Sequence, residues 1–545
     1  MSEPSASAPV AVARDRMPRS VAYIVGNEAA ERFSYYGIRS ILTVYITAEV
    51  ARGGLGLTPD RATTIVHLFI FANYFLPLLG AWLSDRLIGR YSTILYLSLV
   101  YCLGNGVLAC SGLFEGVPAK LACLAAGLGL IALGSGGIKP CVSAFMGDQF
   151  KPEQGHLLQK AYGAFYWSIN FGSFFSFLVV PWVKDRYGYA PAFGVPGVFM
   201  ALAVVIFVLG TRQYVRVPPA RHSRTAGFLT VLMTAYRRQA TAGVAPAVNL
   251  LVTLVIPVVT MVVFTVLAFV EHLSPALQAL GEGALATVGL WYLLIVGLSL
   301  TGRIELPDTF WAAARARHRE EEIAAARSVG PILFVFALVP VFWALFDQTT
   351  STWVLQGQQM QAVMLGNFRI GAEQMQSANP ALVMALVPLL TLVVYPRLGR
   401  WATPLRRMSA GMFFGAASYL IVAWLQRRLE AGEQFSILWQ ILPYLVLTTG
   451  EVLLSTTGLE FAFAEAAPNM RSTIMSFWLL TVAFGNLLVS AITKVLGGAA
   501  EAGAVTSERF LLYAALTAVV GVLFSLVASQ YRYRHPAFRK LAGEA

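Results

Sequence analysis

The sequence predicts an all-α polytopic membrane protein of about fourteen transmembrane helices. Three observations carry that expectation. Of 545 residues, 57% are hydrophobic and only 12% charged, about half the roughly 25% charge of ordinary soluble domains. Apolar runs recur every 25 to 35 residues or so, each near the ~20 residues that cross a bilayer. The basic residues cluster in connections on alternate sides of those runs, as the positive-inside rule requires.

In chain order, residues 1–20 form a polar tail with Arg14, Arg16 and Arg19. No small-residue cleavage site succeeds it, so a cytoplasmic tail is expected rather than a signal peptide. Six spans are expected near 21–48, 62–84, 91–112, 119–146, 159–183 and 195–211, a first bundle over 21–211. Residues 212–328 read as cytoplasmic linkers around an inserted pair of spans, near 248–271 and 283–302. The linkers are basic, with Arg212, Arg216, Arg221, Arg224, Arg237 and Arg238 before the pair. Six more spans are expected near 329–348, 379–396, 408–427, 436–460, 472–494 and 508–530, a second bundle over 329–530, with a cytoplasmic tail at 531–545.

An inserted pair, being even in number, does not invert the second half. The basic clusters at Arg86/Arg90, 212–238, 303–327, Arg397–Arg407 and Arg532–Lys540 then fall on one side with both termini, which is expected to be cytoplasmic. The net charge of +12 is thereby explained without nucleic acid. Cys102, Cys110, Cys123 and Cys141 lie in or beside the spans, with neither metal-type spacing nor a disulfide framework. The second span exits through SDRLIGRYST (84–93), and its counterpart in the second half through YPRLGRWATP (395–404). Matching exits from two six-helix halves mark a major-facilitator architecture; short basic loops also look alike without common origin.

Ionisable groups at mid-span cost roughly 2.5–3.5 kcal/mol each on insertion scales. The first span holds Glu28, Glu31, Arg32 and Arg39. Glu28, Arg32, Tyr35/Tyr36 and Arg39 share one helical stripe. Facing lipid, such a set costs on the order of 10 kcal/mol, so the stripe is expected to face an interior cavity. His67, Lys139, Asp347 and Glu451 stand alone in four further spans. Each could be a static ion pair between helices. As a set, drawn from both halves, they imply a polar chamber and a transport path, on which an imidazole suits proton traffic.

The string EAAERFSYYGIR (28–39) resembles the ExxERFxYYG signature of the proton-dependent oligopeptide transporters, a branch of the major facilitator superfamily. AFYWSINFGSFFS (164–176) resembles that family's FYxxINxGS motif, and GAWLSDRLIGR (80–90) the superfamily's loop motif. FWALFDQ (342–348) and GEVLLSTTGLEFAF (450–463) are similar to the animal members, whereas the inserted pair is a bacterial habit. The resemblance implies a symporter importing dipeptides and tripeptides by alternating access, with protons as coupling ion and no other cofactor. It further implies a bacterial inner-membrane protein functional as a monomer.

Residue by residue, the resemblance assigns the peptide carboxylate to Arg39 and Lys139 and its α-amine to Glu451. Asn170 and Asn379 would bond the peptide backbone, and Tyr35, Tyr36 and Tyr74 line the cavity. Trp343, Ser455 and Trp478 would shape side-chain pockets. Glu28, Glu31, Arg32 and His67 belong to the proton machinery with Asp347, and Arg39 and Asp347 form a gate between the halves. Lys139 and Glu451 are expected to pair when no peptide is bound. Packing or an interfacial belt is the plainer reading of Tyr74 and Trp343, and a helix bridge that of Asn170. Two positions depart from the family pattern: Cys141 replaces the Asn of KPN, and Phe346 stands where many bacterial members carry an acid.

Other classes fit less well. An anion carrier is disfavoured by the acid at Glu451. An enzyme lacks any zinc-type spacing, P-loop or Ser/His/Asp set in the loops. An open channel does not explain charges paired across two halves.

Overall fold

The computed structural model describes residues 16–151, 154–219, 227–239, 255–270, 272–302, 305–497 and 505–543. Arg14, Arg221, Arg224 and Arg303, and the start of the span expected at 248–271, lie outside them. The first bundle comprises α1 (Ser20–Thr47), α2 (Pro59–Ile88), α3 (Arg90–Leu113), α4 (Val117–Gly147), α5 (Leu157–Tyr187) and α6 (Tyr189–Arg212). After a short helix α7 (Phe228–Gln239) come the inserted α8 (Ile256–Phe269) and α9 (Pro275–Leu300). The second bundle comprises α10 (Glu320–Phe336 continued by Pro340–Gln358), α11 (Gln374–Leu398), α12 (Pro404–Glu430), α13 (Ile437–Glu465), α14 (Thr473–Val495) and α15 (Ser507–Gln530).

Among the described residues, eleven helices are long and apolar enough to cross a membrane, and α10 is a twelfth if its two arms form one span. The 28-residue α1 is not among them, because it carries Glu28, Glu31, Arg32 and Arg39. The described part of α8 is 14 residues long.

Three local features differ from the sequence expectation. The span expected at 329–348 starts earlier and bends by 45° between Phe336 and Pro340. A proline lacks the amide hydrogen that continues a helix, which accounts for a break before Pro340. The basic linker at 212–247 contains α7, with Phe228, Val231, Leu232 and Ala235 buried against the second bundle; their i, i+3, i+4, i+7 spacing is an apolar stripe. Between α10 and α11, β1 (Val363–Leu365) pairs antiparallel with β2 (Phe368–Ile370). Its two-residue turn begins at Gly366, whose φ of 60° no other residue type adopts freely.

Close helix crossings rest on glycine. A Cβ at Gly80 would lie 2.0 Å from the Gly137 carbonyl oxygen, so α2 and α4 touch backbone to backbone there. A Cβ at Gly458 would lie 2.1 Å from the Trp478 ring, so the absent side chain of α13 is the space the indole fills.

Candidate functional site

The charges of α1 are buried inside the bundle. Arg32 Nε lies 2.8 Å from Glu28 Oε1 and 2.6 Å from Glu31 Oε2. Hydrogen-bond geometry is met only toward Glu28. Among the described residues, Glu31 Oε2 accepts no hydrogen bond, and its Oε1 accepts one of 3.2 Å from Ser135 of α4. One guanidinium therefore serves two carboxylates unequally.

Four helices meet around Asp347. Arg39 Nη2 of α1 donates to Asp347 Oδ1 at 2.9 Å, and more weakly to Thr350 Oγ1 at 3.3 Å. Asp347 Oδ2 accepts from Asn486 Nδ2 of α14 at 2.7 Å. That fixes the amide, so its oxygen faces His67 Nδ1 of α2 at 2.7 Å. The neutral imidazole therefore carries its hydrogen on Nδ1, leaving Nε2 to accept from Ser351 Oγ at 2.9 Å.

Sequence reasoning misses Asn486 and Ser351. A lone amide within LLTVAFGNLLVSA is the available signal for Asn486, weak because neutral polar groups are common bridges between membrane helices.

Lys139 and Glu451, expected to pair, do not. The Lys139 ammonium lies 4.0 Å from the Tyr74 ring centroid and 4.5 Å from that of Tyr35, and makes no hydrogen bond among the described residues. The two ring faces attract the ammonium through their quadrupoles. Glu451 Oε2 instead accepts from Asn379 Nδ2 at 2.7 Å, and the same amide donates to Thr448 Oγ1 at 3.1 Å. A neutral dipole from the adjacent α11 thus takes the position expected of the cation.

Arg39 also lies over the rings of Tyr35 and Tyr36, at 5.6 and 5.7 Å, so its charge is shared between two aromatics and an acid. Ser455 comes after Glu451 within a wide turn of α13, Val452–Thr456; such π-type bulges recur at functional sites. Trp343 and Trp478 meet edge to face, with centroids 6.3 Å apart, and are nearly enclosed with Phe336 and Phe346 around them. Trp343 Nε1 makes no hydrogen bond among the described residues.

Asn170 turns its amide to its own helix, donating to the Tyr166 carbonyl at 3.0 Å. Cys141 likewise turns from the chamber, its thiol donating to Gly137 at 3.4 Å and Gly80 at 3.6 Å. Phe346, which replaces the acid of many bacterial members, sits on the aromatic cluster with its ring centroid 5.6 Å from that of Trp343.

Further ties join the two bundles at the end of α1 remote from Ser20. Thr43 Oγ1 donates to the Thr350 carbonyl and Gln376 Nε2 to that of Ser40 at 3.1 Å. Lys184 pairs with Glu373, and Arg509 with Asp60 at 2.9 Å. With the Arg39–Asp347 pair, these hold the two bundles together at that end.

Residues 91–508 match the POT family. Peptide transporter family 1 of Drosophila melanogaster is 34% identical over 76% of this chain and 48% of its own length. Solute carrier family 15 member 1 of Oryctolagus cuniculus is 25% identical over 95% of this chain and 94% of its own. The chain thus spans about half the length of several curated relatives that it matches at above 30% identity. Among solved structures, an auto-inhibited POT family peptide transporter is 36% identical with a TM-score of 0.76, covering 95% of this chain and 98% of that one. The POT family transporter PepTSo is 37% identical with a TM-score of 0.78, over 94% and 98%. With the family match spanning most of a multi-pass helical chain of this architecture, the protein belongs to the POT family.

Proposed function

We infer that this protein is a proton-coupled symporter that imports dipeptides and tripeptides by alternating access between two six-helix bundles, 21–211 and 329–530. The observation that carries the reading is the set of partly satisfied charges from both bundles. Foremost are Lys139, which has aromatic faces and no hydrogen bond among the described residues, and Glu451, held by a neutral amide. A zwitterionic peptide offers each the opposite charge, across the ~7 Å that two extended residues span. The peptide carboxylate engages Lys139 and Arg39; its amine engages Glu451. Asn379 and Asn170 turn to the peptide backbone, while Tyr35, Tyr36 and Tyr74 line the chamber and Trp343, Ser455 and Trp478 shape the side-chain pockets.

Glu28, Glu31 and Arg32 hold the coupling proton with His67 and Asp347, and the Arg39–Asp347 pair gates the outer end. Protons are the coupling ion, with no other cofactor. The protein works as a monomer in the bacterial inner membrane, with both termini cytoplasmic.

Competition binding with blocked peptides tests the recognition scheme. Dialanine is expected to bind at least about tenfold more tightly than either its C-terminal amide or its N-acetyl form, since a hydrogen bond to a charged group contributes about 1.5–3 kcal/mol. Lys139→Ala should reduce discrimination against the amide, the remainder being held by Arg39, and Glu451→Gln should abolish discrimination against the acetyl form. Equal affinity of wild type for all three ligands would remove both residues from peptide recognition.

A further inference from the structure

A cavity lies between the two bundles at the end of α1 remote from Ser20, beside the Lys184–Glu373 pair. It has a volume of about 370 Å³ and is lined by Trp182, Asp185, Arg186, Asn367, Arg369 and Gln374. One wall is the end of α5, from the first bundle; the other is the β-hairpin and the segment leading into α11, from the second. That volume falls at the lower end of the range for small-molecule sites.

The charges around it do not cancel. Lys184 is taken by Glu373 and by Asp185 Oδ1 at 3.0 Å. Arg369 reaches Asp185 Oδ2 only at 3.7 Å, with about half of its side chain exposed. Arg186 lies over the Trp182 ring at 5.7 Å and, among the described residues, has no carboxylate within ion-pair distance. Three cations thus surround two acids. The decisive group is Gln374, at 1% exposure. Its Oε1 accepts from the Gly371 amide at 3.1 Å, which commits that end of the side chain. Its Nε2 is buried and, among the described residues, without a hydrogen bond, on a side chain that lines the same cavity. A buried amide donor left unbonded is costly.

A buried amide donor and two forked guanidinium groups around a net positive cavity match a carboxylate, which accepts several charge-assisted hydrogen bonds at once. Trp182 supplies an apolar face for a short carbon chain beside it. We propose that this cavity is an outer-face binding site for a small carboxylate such as succinate, and that its occupant holds the two bundles together at the outer end. The bridging role comes from the walls. The site is complete only while α5 and the β-hairpin face each other, so a ligand bound there favours the closed outer end by mass action.

Purified full-length protein tests this by thermal unfolding in succinate, inorganic phosphate or sodium chloride at matched ionic strength. Succinate is expected to raise the melting temperature saturably, phosphate less so, and sodium chloride not at all. Arg186→Ala, on the exposed face, and Gln374→Leu should each lose the saturable shift while keeping the salt baseline. A cysteine placed near the outer mouth should also label more slowly in succinate, by about the factor that the melting shift implies. A shift of equal size in Arg186→Ala and wild type would overturn the site, as would phosphate acting where succinate does not. A saturable shift with unchanged labelling would overturn the bridging role.

Discussion

His67, Asn486, Asp347 and Arg39 form one continuous hydrogen-bonded chain across four helices. Asn486 sets the imidazole tautomer by committing its NH2 to Asp347. Asn486→Leu keeps the volume and removes both bonds, so it should leave peptide binding near wild type while uncoupling uptake from an imposed proton gradient; full coupling in that variant would place the proton path elsewhere. Asp347→Asn acts differently. It leaves Arg39 buried without a counter-charge, a loss of about 3–5 kcal/mol, and that loss falls on the state in which the outer ends meet. Outer-mouth cysteines should therefore label much faster in Asp347→Asn than in wild type, and unchanged rates would remove the pair from the gate. The charged members of this hydrogen-bonded chain are legible in the sequence because an ionised group in an apolar run is conspicuous. Asn486 and Ser351 are not, since neutral polar groups cost little in a span and their worth depends on neighbours distant in sequence. The unpaired state of Lys139 is illegible for a related reason: two tyrosines, from α1 and α2, replace the acid that charge balance alone would choose.

The number and order of helices can be read because hydropathy reports element length directly, while the breaks within them depend on local backbone chemistry. Pro340 bends α10, and Gly366 turns the β-hairpin that half of the cavity between the bundles rests on. The apolar stripe of α7 is present in the letters but obscured by the arginines around it. Glycines decide how closely the helices approach. Gly80→Ala forces a methyl group against the Gly137 backbone, and overpacking of this kind costs about 1–3 kcal/mol. Gly106, on the exposed face of α3, has nothing within 4 Å of its missing Cβ, so Gly106→Ala should be neutral or mildly stabilising through helix propensity. Thermal unfolding of the two variants in one detergent separates them. A melting temperature for Gly80→Ala equal to that of Gly106→Ala would mean that α2 and α4 do not touch backbone to backbone.

Across the molecule, the inserted pair touches both bundles. Phe264 of α8 and Ala284 of α9 cluster with Leu487 and Ala491 of α14, with Leu68 and Phe71 of α2 packed alongside. Lys494 Nζ, in the last turn of α14, donates to the Val270 carbonyl at 2.7 Å. Of this pair, the sequence reveals little beyond the even number of its helices, because lipid-facing and bundle-facing apolar residues share a composition. At this scale, movement of the two bundles is what would couple peptide to proton. One pH unit provides about 1.36 kcal/mol and 100 mV about 2.3 kcal/mol per charge. Together these could sustain a peptide gradient on the order of 500-fold for one proton per peptide. The direct measurement is uptake of radiolabelled dialanine into liposomes holding the purified protein, under an inward proton gradient and an inside-negative potential. Accumulation above the outside concentration that collapses when a protonophore is added is the predicted result; uptake that only equilibrates, and is indifferent to the protonophore, would contradict it.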